Sequence, residues 1–502
     1  MYLRPYAIVL SAIATAAFAE ESVSAPPAPQ APTKAAAPAP LKVRKIGKVA
    51  VSGSFRTRQE GWGWFTPDSG DPNYTFSGNI FRLSLSQAKE NWSWQTEFAL
   101  PFLLGLPNTA QGPGAQGALG LGSNYFTANG RRQNSAMFFP KQAFLSFKKK
   151  NLVTRVGRFE FNDGSEMTPK NGTLAALKAS RINMRLLGHF AFTHVGRSFD
   201  GLHLSHTSAR GNFTFVGAVP TRGVFQTDGW GWNETAFGYG SFTKPFTKGA
   251  YTNETRIFGL YYDDWRDVTK TDNRALGLRN ADRANSIKIG TFGGHSLQAF
   301  DTKAATYDLL FWGATQTGKW GTQDHQAYSF DIEAGFQPKA KPLMKLKPWV
   351  RTGYSVASGD SNPTDDQHRT FFQVMPTPRP FARFPFFNMM NNKDIYAGVI
   401  LRPHPKFSVA SEFHSLALQT SKDLWYSGGG VFQPWTFGYA GRNTAGAKSL
   451  ANLYDTSVDI KLNPAVSLNL YYGYAQGLSA IRAIYPKGQS GSFGFVELMY
   501  KF

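Results

Sequence analysis

The last segment of the chain, residues 492–502, constrains the fold more than any other stretch. Alternate residues make an apolar face that ends in aromatic side chains: Val496, Leu498, Tyr500 and Phe502. The intervening residues are mixed and charged: Glu497, Met499 and Lys501. This two-residue period predicts a β-strand with lipid or core on one side and a wetter environment on the other. A free edge strand of this kind promotes aggregation, whereas in a closed barrel it pairs with the first strand.

We therefore predict that this segment closes an outer-membrane β-barrel, with the last strand of a soluble sandwich as the alternative. A C-terminal Phe after alternating apolar residues also resembles the signal read by the outer-membrane assembly machinery, which is a predicted partner. The 502 residues include 50 Gly and 15% aromatic residues, and the mean hydropathy is −0.32, as expected for strands that are apolar on one face. No apolar run after residue 19 reaches the roughly 18 residues of a membrane helix, so any crossing is made by strands.

The N-terminal residues divide into two segments that precede the predicted barrel. Residues 1–19 are predicted to be a secretory signal peptide, because Arg4 precedes an apolar stretch and Ala17-Phe-Ala19 offers small residues for cleavage. Residues 20–46 are rich in Ala and Pro, which predicts an extended periplasmic tether with little to bury. The barrel is predicted to occupy residues 47–502.

Alternating segments follow one another to the C-terminus, separated by short turns and long loops in alternation. The predicted strands cover residues 49–58, 80–87, 92–100, 139–148, 153–160, 192–206, 212–219, 235–243, 255–264, 285–294, 305–315, 326–336, 348–357, 394–402, 407–417, 450–461, 466–475 and 492–502. We predict an all-β protein: a transmembrane antiparallel barrel of about 18 strands, with 16 as the alternative. Its long loops are expected to be extracellular and its short turns periplasmic. A propeller is disfavoured because no blade-length repeat is found.

Strand side chains alone cannot fill a barrel of this width, so a loop is expected to narrow it. One candidate is residues 168–188, which predict a short helix, and the other is residues 358–392, which are rich in Pro, Phe and Arg. Either loop can fold inward as a constriction or lie outside as a cap. The basic residues that would line such a constriction are Lys170, Lys178, Arg181, Arg185, Arg379 and Arg383.

The net charge of +21 at pH 7 and the pI near 9.8 raise the question of a nucleic-acid partner. None is predicted, because most Lys and Arg residues stand singly among residues with strand periodicity. A Lys or Arg at the midplane of the lipid face costs ~2–4 kcal/mol, so these charges are expected in the lumen or in loops. A basic lumen attracts anions. The alternative is that the charges sit on loop tips and bind lipopolysaccharide phosphates.

Charged residues within the predicted strands are the candidates for lining a pore and binding its solute. They are Arg56, Arg58, Arg82, Glu97, Arg158, Glu160, Arg351 and Glu412. Guanidinium groups stay charged and hold carboxylates in a fork, while interspersed acids keep a polyanion from binding too tightly. Alternatively, the Arg–Glu pairs satisfy one another across the lumen.

Enzyme signatures are missing from the sequence. It has no nucleophile elbow, zinc-protease motif, phosphate-binding loop or dinucleotide fingerprint. His203 and His206 point to opposite faces of a strand and are poor joint ligands. We predict no catalytic residue, metal site or cofactor, although an outer-membrane enzyme with its site inside the barrel is a third alternative.

Several segments carry a family resemblance through their order along the chain. They are residues 53–58 with 61–65, residues 195–201, residues 220–225, residues 358–363 with 371–373, and residues 453–455 through 462–464 to 472–474. Together they resemble the alginate-export family of outer-membrane proteins, over most of residues 48–502. The resemblance implies an 18-stranded barrel with an electropositive, Arg-lined pore. It also implies secretion of a negatively charged uronate polysaccharide, gated by inward loops.

The predicted function is passive passage of an anionic polysaccharide, in the export direction, through a channel in the bacterial outer membrane. Outer-membrane lipid, lipopolysaccharide and the polysaccharide itself are the other predicted partners. The main alternative is a substrate-specific porin that imports small organic or phosphate anions.

Overall fold

The structure is a computed structural model that describes residues 44–376 and 383–502. Within these residues, 18 long strands form one antiparallel sheet that closes on itself. The strands are β1 (Val49–Gly63), β2 (Asn73–Ala88), β3 (Trp92–Leu104), β4 (Phe139–Lys149), β5 (Leu152–Phe159), β6 (Phe199–Ser208), β7 (Gly211–Pro220), β8 (Thr235–Lys248), β9 (Tyr251–Asp264), β10 (Ile287–Asp301), β11 (Ala305–Trp320), β12 (Gln323–Pro338), β13 (Trp349–Ala357), β14 (Asn392–His404), β15 (Phe407–Leu418), β16 (Ser449–Lys461), β17 (Val466–Gly477) and β18 (Ser490–Lys501). The predicted barrel of 18 strands is therefore confirmed.

Closure of the barrel joins β1 to β18, in a register that runs from Ser54 opposite Lys501 to Gly63 opposite Ser492. The main chain of Phe502 exchanges two hydrogen bonds with Gly53, of 2.9 and 3.0 Å. The apolar face of β18 points outward, where Val496 is 53% exposed. The other face points into the lumen. The alternation read from the C-terminal segment thus matches the two faces of the closing strand.

Most predicted strand boundaries lie within a few residues of the observed ones, but two differ in an informative way. β2 begins at Asn73 rather than at residue 80, because Tyr74 and Phe76 already alternate with polar residues and continue the inward-facing side of the strand. The strand predicted for residues 192–206 begins only at Phe199. Residues 192–198 belong instead to a loop inside the barrel, where apolar residues pack on other loops. The segment predicted to be a signal peptide, residues 1–19, and most of the predicted tether, residues 20–46, lie outside the described residues.

The two ends of the barrel differ in the length of their connections. Seven of the eight connections at the periplasmic end span two to four residues, and the eighth, residues 339–348, is longer and holds a turn of 3-10 helix, Leu343–Lys345. The extracellular connections are long, except for the two-residue turn 321–322 between β11 and β12. Among the described residues, four short α-helices lie in these loops: α1 (Leu121–Ala128), α2 (Gly172–Leu177), α3 (Leu276–Ala281) and α4 (Ser479–Ile484). Across residues 44–376 and 383–502, every helix is too short or too polar to cross a membrane.

Two of the long loops fill much of the lumen. We call residues 160–198 the plug; it contains α2, which continues into a π-helical turn, Lys178–Ile182. Apolar plug residues such as Leu174 and Leu177 pack in one core with Trp312 of β11 and Leu297 of β10. Thr173 accepts a hydrogen bond of 3.0 Å from Gln337, near the periplasmic end of β12. The plug therefore descends along the wall formed by β9–β12 to the periplasmic end.

Candidate functional site

Ion pairs fix the plug to the wall of the barrel. The ammonium of Lys178 lies 2.6 Å from the carboxylate of Glu254 on β9. Arg181 binds Glu412 on β15 and lies 3.4 Å from Glu333 on β12. These contacts join the plug to three strands of the wall, β9, β12 and β15. All of these groups are almost fully buried, so separating the plug from the wall would leave unpaired charges in a low dielectric.

Arg185 is the last of the basic plug residues that bind the wall, and its guanidinium forms an ion pair with the carboxylate of Asp331 on β12. Its guanidinium also lies 4.7 Å from the ring centroid of Trp312. The second inward loop, residues 358–391 with the undescribed residues 377–382 omitted, packs on this part of the plug. Gln373 donates a hydrogen bond of 3.1 Å to the carbonyl of Arg185, and Met375 donates one of 2.8 Å to that of Leu186. Both candidate loops therefore lie inside the barrel and support each other.

The other side of the plug ends in a tip, residues 191–193, that is bound to the wall by two arginines of β1. Arg56 donates to the carbonyl of Ala191 at 2.7 Å and also to the carbonyl of Thr193. Arg58 donates to the carbonyl of Phe192 at 2.9 Å. Three consecutive backbone carbonyls thus face two guanidinium groups, and we call this contact the constriction.

Aromatic rings complete the constriction. The guanidinium carbon of Arg58 lies 4.6 Å from the ring centroids of both Phe192 on the tip and Phe495 on β18. Glu497 accepts a hydrogen bond of 2.8 Å from the Nε of Arg58, and Glu60 lies 3.3 Å from its Nη1. Glu60 also lies 2.8 Å from the imidazole of the plug residue His194. The Arg58 charge is therefore held by two acids and two π-faces.

The tip can approach β1 and β2 closely because Gly78 on β2 has no side chain. The imidazole of His194 occupies the space that a Cβ at Gly78 would fill. A residue with any side chain at position 78 would push the ring outward. Gly78 is thus a close-approach glycine, required by packing rather than by a turn.

Below the constriction, a water-accessible region opens to the periplasm, and we call it the half-channel. Exposure of the lumen face of β1 falls steadily from Ser52, which is exposed, through Ser54 to Arg56 at 9% and Arg58 at 4%. Lumen residues of neighbouring strands, Ser457 and Ser467 among them, are also partly exposed. In contrast, the lumen faces of β9–β12 are buried under the plug. The half-channel therefore follows the strands around the closure.

Above the constriction, the long loops surround a cavity of about 1010 Å³, which we call the vestibule. Its lining combines aromatic rings, amides and cations, including Trp64, Asn124, Arg131, Phe192, Trp435 and Arg442. Arg442 donates 2.8 Å to Ser427 and lies 4.7 Å from the centroid of Trp425. Among the described residues, Arg131 and Arg442 have no carboxylate within 4 Å. Because Phe192 also contacts Arg58, the tip separates the vestibule from the half-channel.

Several predicted pore residues form compensated clusters in the lumen. Arg82 on β2 donates 2.8 Å to Glu97 on β3 and 2.9 Å to Glu160 at the start of the plug. Lys141 on β4 lies 3.7 Å from Glu160. Arg351 on β13 lies 2.7 Å from Glu333 and also binds Asp308 on β11. Such pairs satisfy one another and leave little net charge.

The prediction that Arg158 lines the pore is wrong. Arg158 precedes the fully buried Phe159 on β5, so it points to the outer face of the barrel. There it makes a bidentate pair with Asp200 on β6, with both distances 2.7 Å. Glu160 does not share its face, because β5 ends at Phe159 and the chain turns inward. Within the strand, Arg158 shares its face with Val156, which is 50% exposed, so its phase is opposite to the one that its charge suggested.

The remaining predicted basic residues differ in their surroundings. Lys170 is exposed near the periplasmic end of the plug. Arg383 donates to Asn469 on β17 and lies 5.7 Å from the centroid of Tyr471, above the half-channel. Arg379 falls outside the described residues. Within the described part of the chain, no group of three or more His, Asp or Glu side chains is arranged to hold a metal ion.

A comparison with protein families matches residues 127–483 to the family described as Alginate export. The chain belongs to the alginate-export family. A comparison with curated protein sequences found no significant match. The resemblance read from the order of sequence segments is therefore confirmed at the level of the family.

Solved outer-membrane structures share the fold of this alginate-export family protein at low sequence identity. OccAB2 of Acinetobacter baumannii has a TM-score of 0.56 and 8% identity, covering 91% of this chain and 98% of that one. OccK9 (OpdG) of Pseudomonas aeruginosa has a TM-score of 0.57 and 10% identity, covering 91% and 99%. The outer membrane protein opdK from Pseudomonas aeruginosa has a TM-score of 0.53 and 8% identity, covering 90% and 98%. Family and fold together identify a channel of the bacterial outer membrane.

Sequence reasoning missed several residues of the constriction in this alginate-export family protein. Phe192 was assigned to a strand, although it stands at the tip of the plug. His194 and Gly78 were not singled out, since nothing local marks a histidine that packs on a distant glycine. Glu497 had a usable signal: it lies on the lumen face of the closing strand, opposite Arg58 in the register of β1 and β18.

Proposed function

We propose that this channel exports an anionic polysaccharide, alginate or its oligomers, by passive diffusion and without a cofactor. The observation that carries the proposal is the constriction, where Arg56 and Arg58 bind neutral backbone carbonyls of the tip. A carboxylate is a stronger acceptor for guanidinium than a neutral carbonyl. A uronate group that reaches the constriction can therefore replace the tip as the partner of these arginines.

The proposed path runs from the half-channel through the constriction into the vestibule. Serine hydroxyls border its periplasmic part, Arg56 and Arg58 its middle, and Arg131 and Arg442 its extracellular part. Cations at intervals give successive weak sites, which conduction requires. Aromatic rings in the vestibule offer flat surfaces for sugar rings.

Acids beside the arginines limit how tightly a polyanion is held. Glu497 and Glu60 share the charge of Arg58, and Glu497 lies 3.7 Å from Arg56. Elsewhere in the lumen, Arg82 and Arg351 are neutralised by acids on neighbouring strands. Anion selectivity is thus expected to depend on the few arginines at the constriction rather than on the lumen as a whole.

Single-channel recording in planar bilayers tests the proposal. We expect the wild-type channel to prefer anions and to be blocked by alginate oligomers at micromolar to millimolar concentrations. The double variant Arg56→Gln/Arg58→Gln should lose most of the selectivity and the block. The matched control is Arg158→Gln/Asp200→Asn, which alters a pair on the outer face and should change neither. An unselective wild-type channel that ignores alginate oligomers would refute the proposal.

A second candidate function is the import of small organic or phosphate anions. It is favoured by the volume of the vestibule, about 1010 Å³, which is of the size that holds a small ligand. The same recordings separate the two functions. Block by small carboxylates or phosphate, with no effect of alginate oligomers, would support the porin and exclude the exporter.

A further inference from the structure

The periplasmic rim of the barrel carries most of the uncompensated positive charge. The short connections at this end contain many Lys and Arg residues, and Glu90 is the one acidic residue in the described connections. By contrast, most lumen arginines are paired with acids. The basic excess read from the sequence is therefore displayed to the periplasm more than to the lumen.

Four lysines of this rim lie beside the half-channel. Lys461 and Lys501 stand at the periplasmic ends of β16 and β18, on their lumen faces. Lys501 is opposite Ser54, and Lys461 is opposite Ser467. Two strand spacings separate β16 from β18, which places their ends about 10 Å apart.

The other two lysines belong to the hairpin that precedes β1. The short strand Arg44–Ile46 pairs back on β1, with Lys45 opposite Ala50, which lies on the lumen side of that strand. Lys48 follows in the exposed turn before β1. Among the described residues, none of these four ammonium groups has a carboxylate within 4 Å. We call Lys45, Lys48, Lys461 and Lys501 the mouth lysines.

We propose that the mouth lysines form a docking site where a carboxylate-bearing polysaccharide is captured from the periplasm. The inference rests on the proposed function and adds the residues that first bind the polysaccharide at the periplasmic entrance. Unpaired lysines raise the local concentration of a polyanion and its association rate, and the serines behind them lead to Arg56. The binding is weak and labile because ammonium groups in water make screened, non-directional contacts.

The test measures block by alginate oligomers added to either side of channels inserted in one orientation in neutral bilayers. We expect the association rate from the periplasmic side to exceed that from the extracellular side by about tenfold at low salt. This difference should shrink as salt rises. In the variant Lys45→Gln/Lys48→Gln/Lys461→Gln/Lys501→Gln, the periplasmic rate should fall to the extracellular value.

The matched control removes the same charge from the far side of the rim. Lys303, Lys341, Lys345 and Lys347 lie in turns next to β10–β13, over the part of the lumen that the plug fills. Their replacement by Gln should leave at least half of the difference between the two sides. If both variants lost the side difference equally, the effect would come from the electrostatic field of the whole rim, and the docking site would be overturned.

Three further outcomes also decide the question. Equal association rates from both sides of the wild-type channel would overturn the docking site and leave the exporter intact, whereas absence of block from either side would instead refute the proposed function. A side difference that disappears in bilayers with anionic phospholipid would assign the mouth lysines to lipid headgroups and overturn the proposal.

Discussion

The guanidinium carbon of Arg58 lies over the ring of Phe192, 4.6 Å from its centroid, at the point where a loop meets the wall of the barrel. Arg58 carries the charge that is proposed to recognise the solute. Phe192 supplies the ring that is proposed to block the path of the solute. The two roles can be separated by substitution, because Arg58 keeps Glu60, Glu497 and Phe495 when the ring is removed.

Replacing Phe192 with Ala should widen the constriction without removing its charge. We expect single-channel conductance to rise several-fold while anion selectivity persists. The control is Phe432→Ala, which removes a vestibule ring that packs on Phe225, 5.3 Å away, and does not touch Arg58. Unchanged conductance in Phe192→Ala would show that ions take another path.

Arg181 is expected to hold the plug in place. Its replacement by Met leaves Glu333 and Glu412 without their shared cation, at a cost of about 3–5 kcal/mol to plug docking. The plug should then become sensitive to protease in the folded barrel, and the current should flicker. Lys170→Gln, an exposed change in the same loop, should do neither, and protection equal to wild type in Arg181→Met would contradict the anchoring role.

Gly78→Ala should displace the plug tip through a steric effect alone. The added Cβ overlaps the imidazole of His194 and weakens its contact with Glu60. We expect a higher open probability together with a lower unfolding temperature. At Gly61 an added Cβ meets nothing closer than 4.0 Å, so Gly61→Ala should behave as wild type. A silent Gly78→Ala variant would show that the tip is not seated on β2.

The extracellular loops should respond to pH through Asp360. Burial raises the pKa of its carboxyl to about 6 from an ordinary value of 3.8, and nearby Asp423 adds to the shift. The folded loop therefore keeps a proton that the unfolded loop releases, so its stability falls as the pH rises from about 4 to about 6 and then levels off. Hydrogen exchange of residues 358–371, corrected for the intrinsic rate, should show this trend. In Asp360→Asn the trend should weaken, with the remainder due to Asp423, whose pKa is also raised by burial; a trend of the opposite sign in wild type would contradict the assignment.

Phe502 should matter for closure of the barrel. Its main chain bonds to Gly53 and its ring lies 6.2 Å from that of Phe81. Deleting Phe502 removes the contacts at the periplasmic end of the β1–β18 pair. We therefore expect less folded protein in the outer membrane, measured by the heat-dependent shift in gel mobility. Phe502→Tyr keeps the ring and should retain near wild-type amounts; a deletion with full yield would contradict this.

The sequence was sufficient for the barrel because lipid imposes a period of two on every strand that crosses it. Arg56, Arg82 and Glu412 lie on the lumen faces of their strands, whereas Arg158 lies on the outer face, where Asp200 compensates its charge. The constriction was beyond sequence reasoning for a different reason. It depends on where a loop of 39 residues returns to the wall, and contacts such as Arg58 with Phe192 join residues 134 positions apart.

The hydrogen bonds at the constriction are accepted by main-chain oxygens of the loop and donated by side chains of the strand. Every amino acid supplies the same oxygen, so the side chains of Ala191 and Thr193 take no part in these hydrogen bonds. Arg56 and Arg58, in contrast, donate through their side chains. Relatives that retain this closure should therefore keep both arginines even where residue 191 differs, and a relative that lacks them must shut its pore by other means.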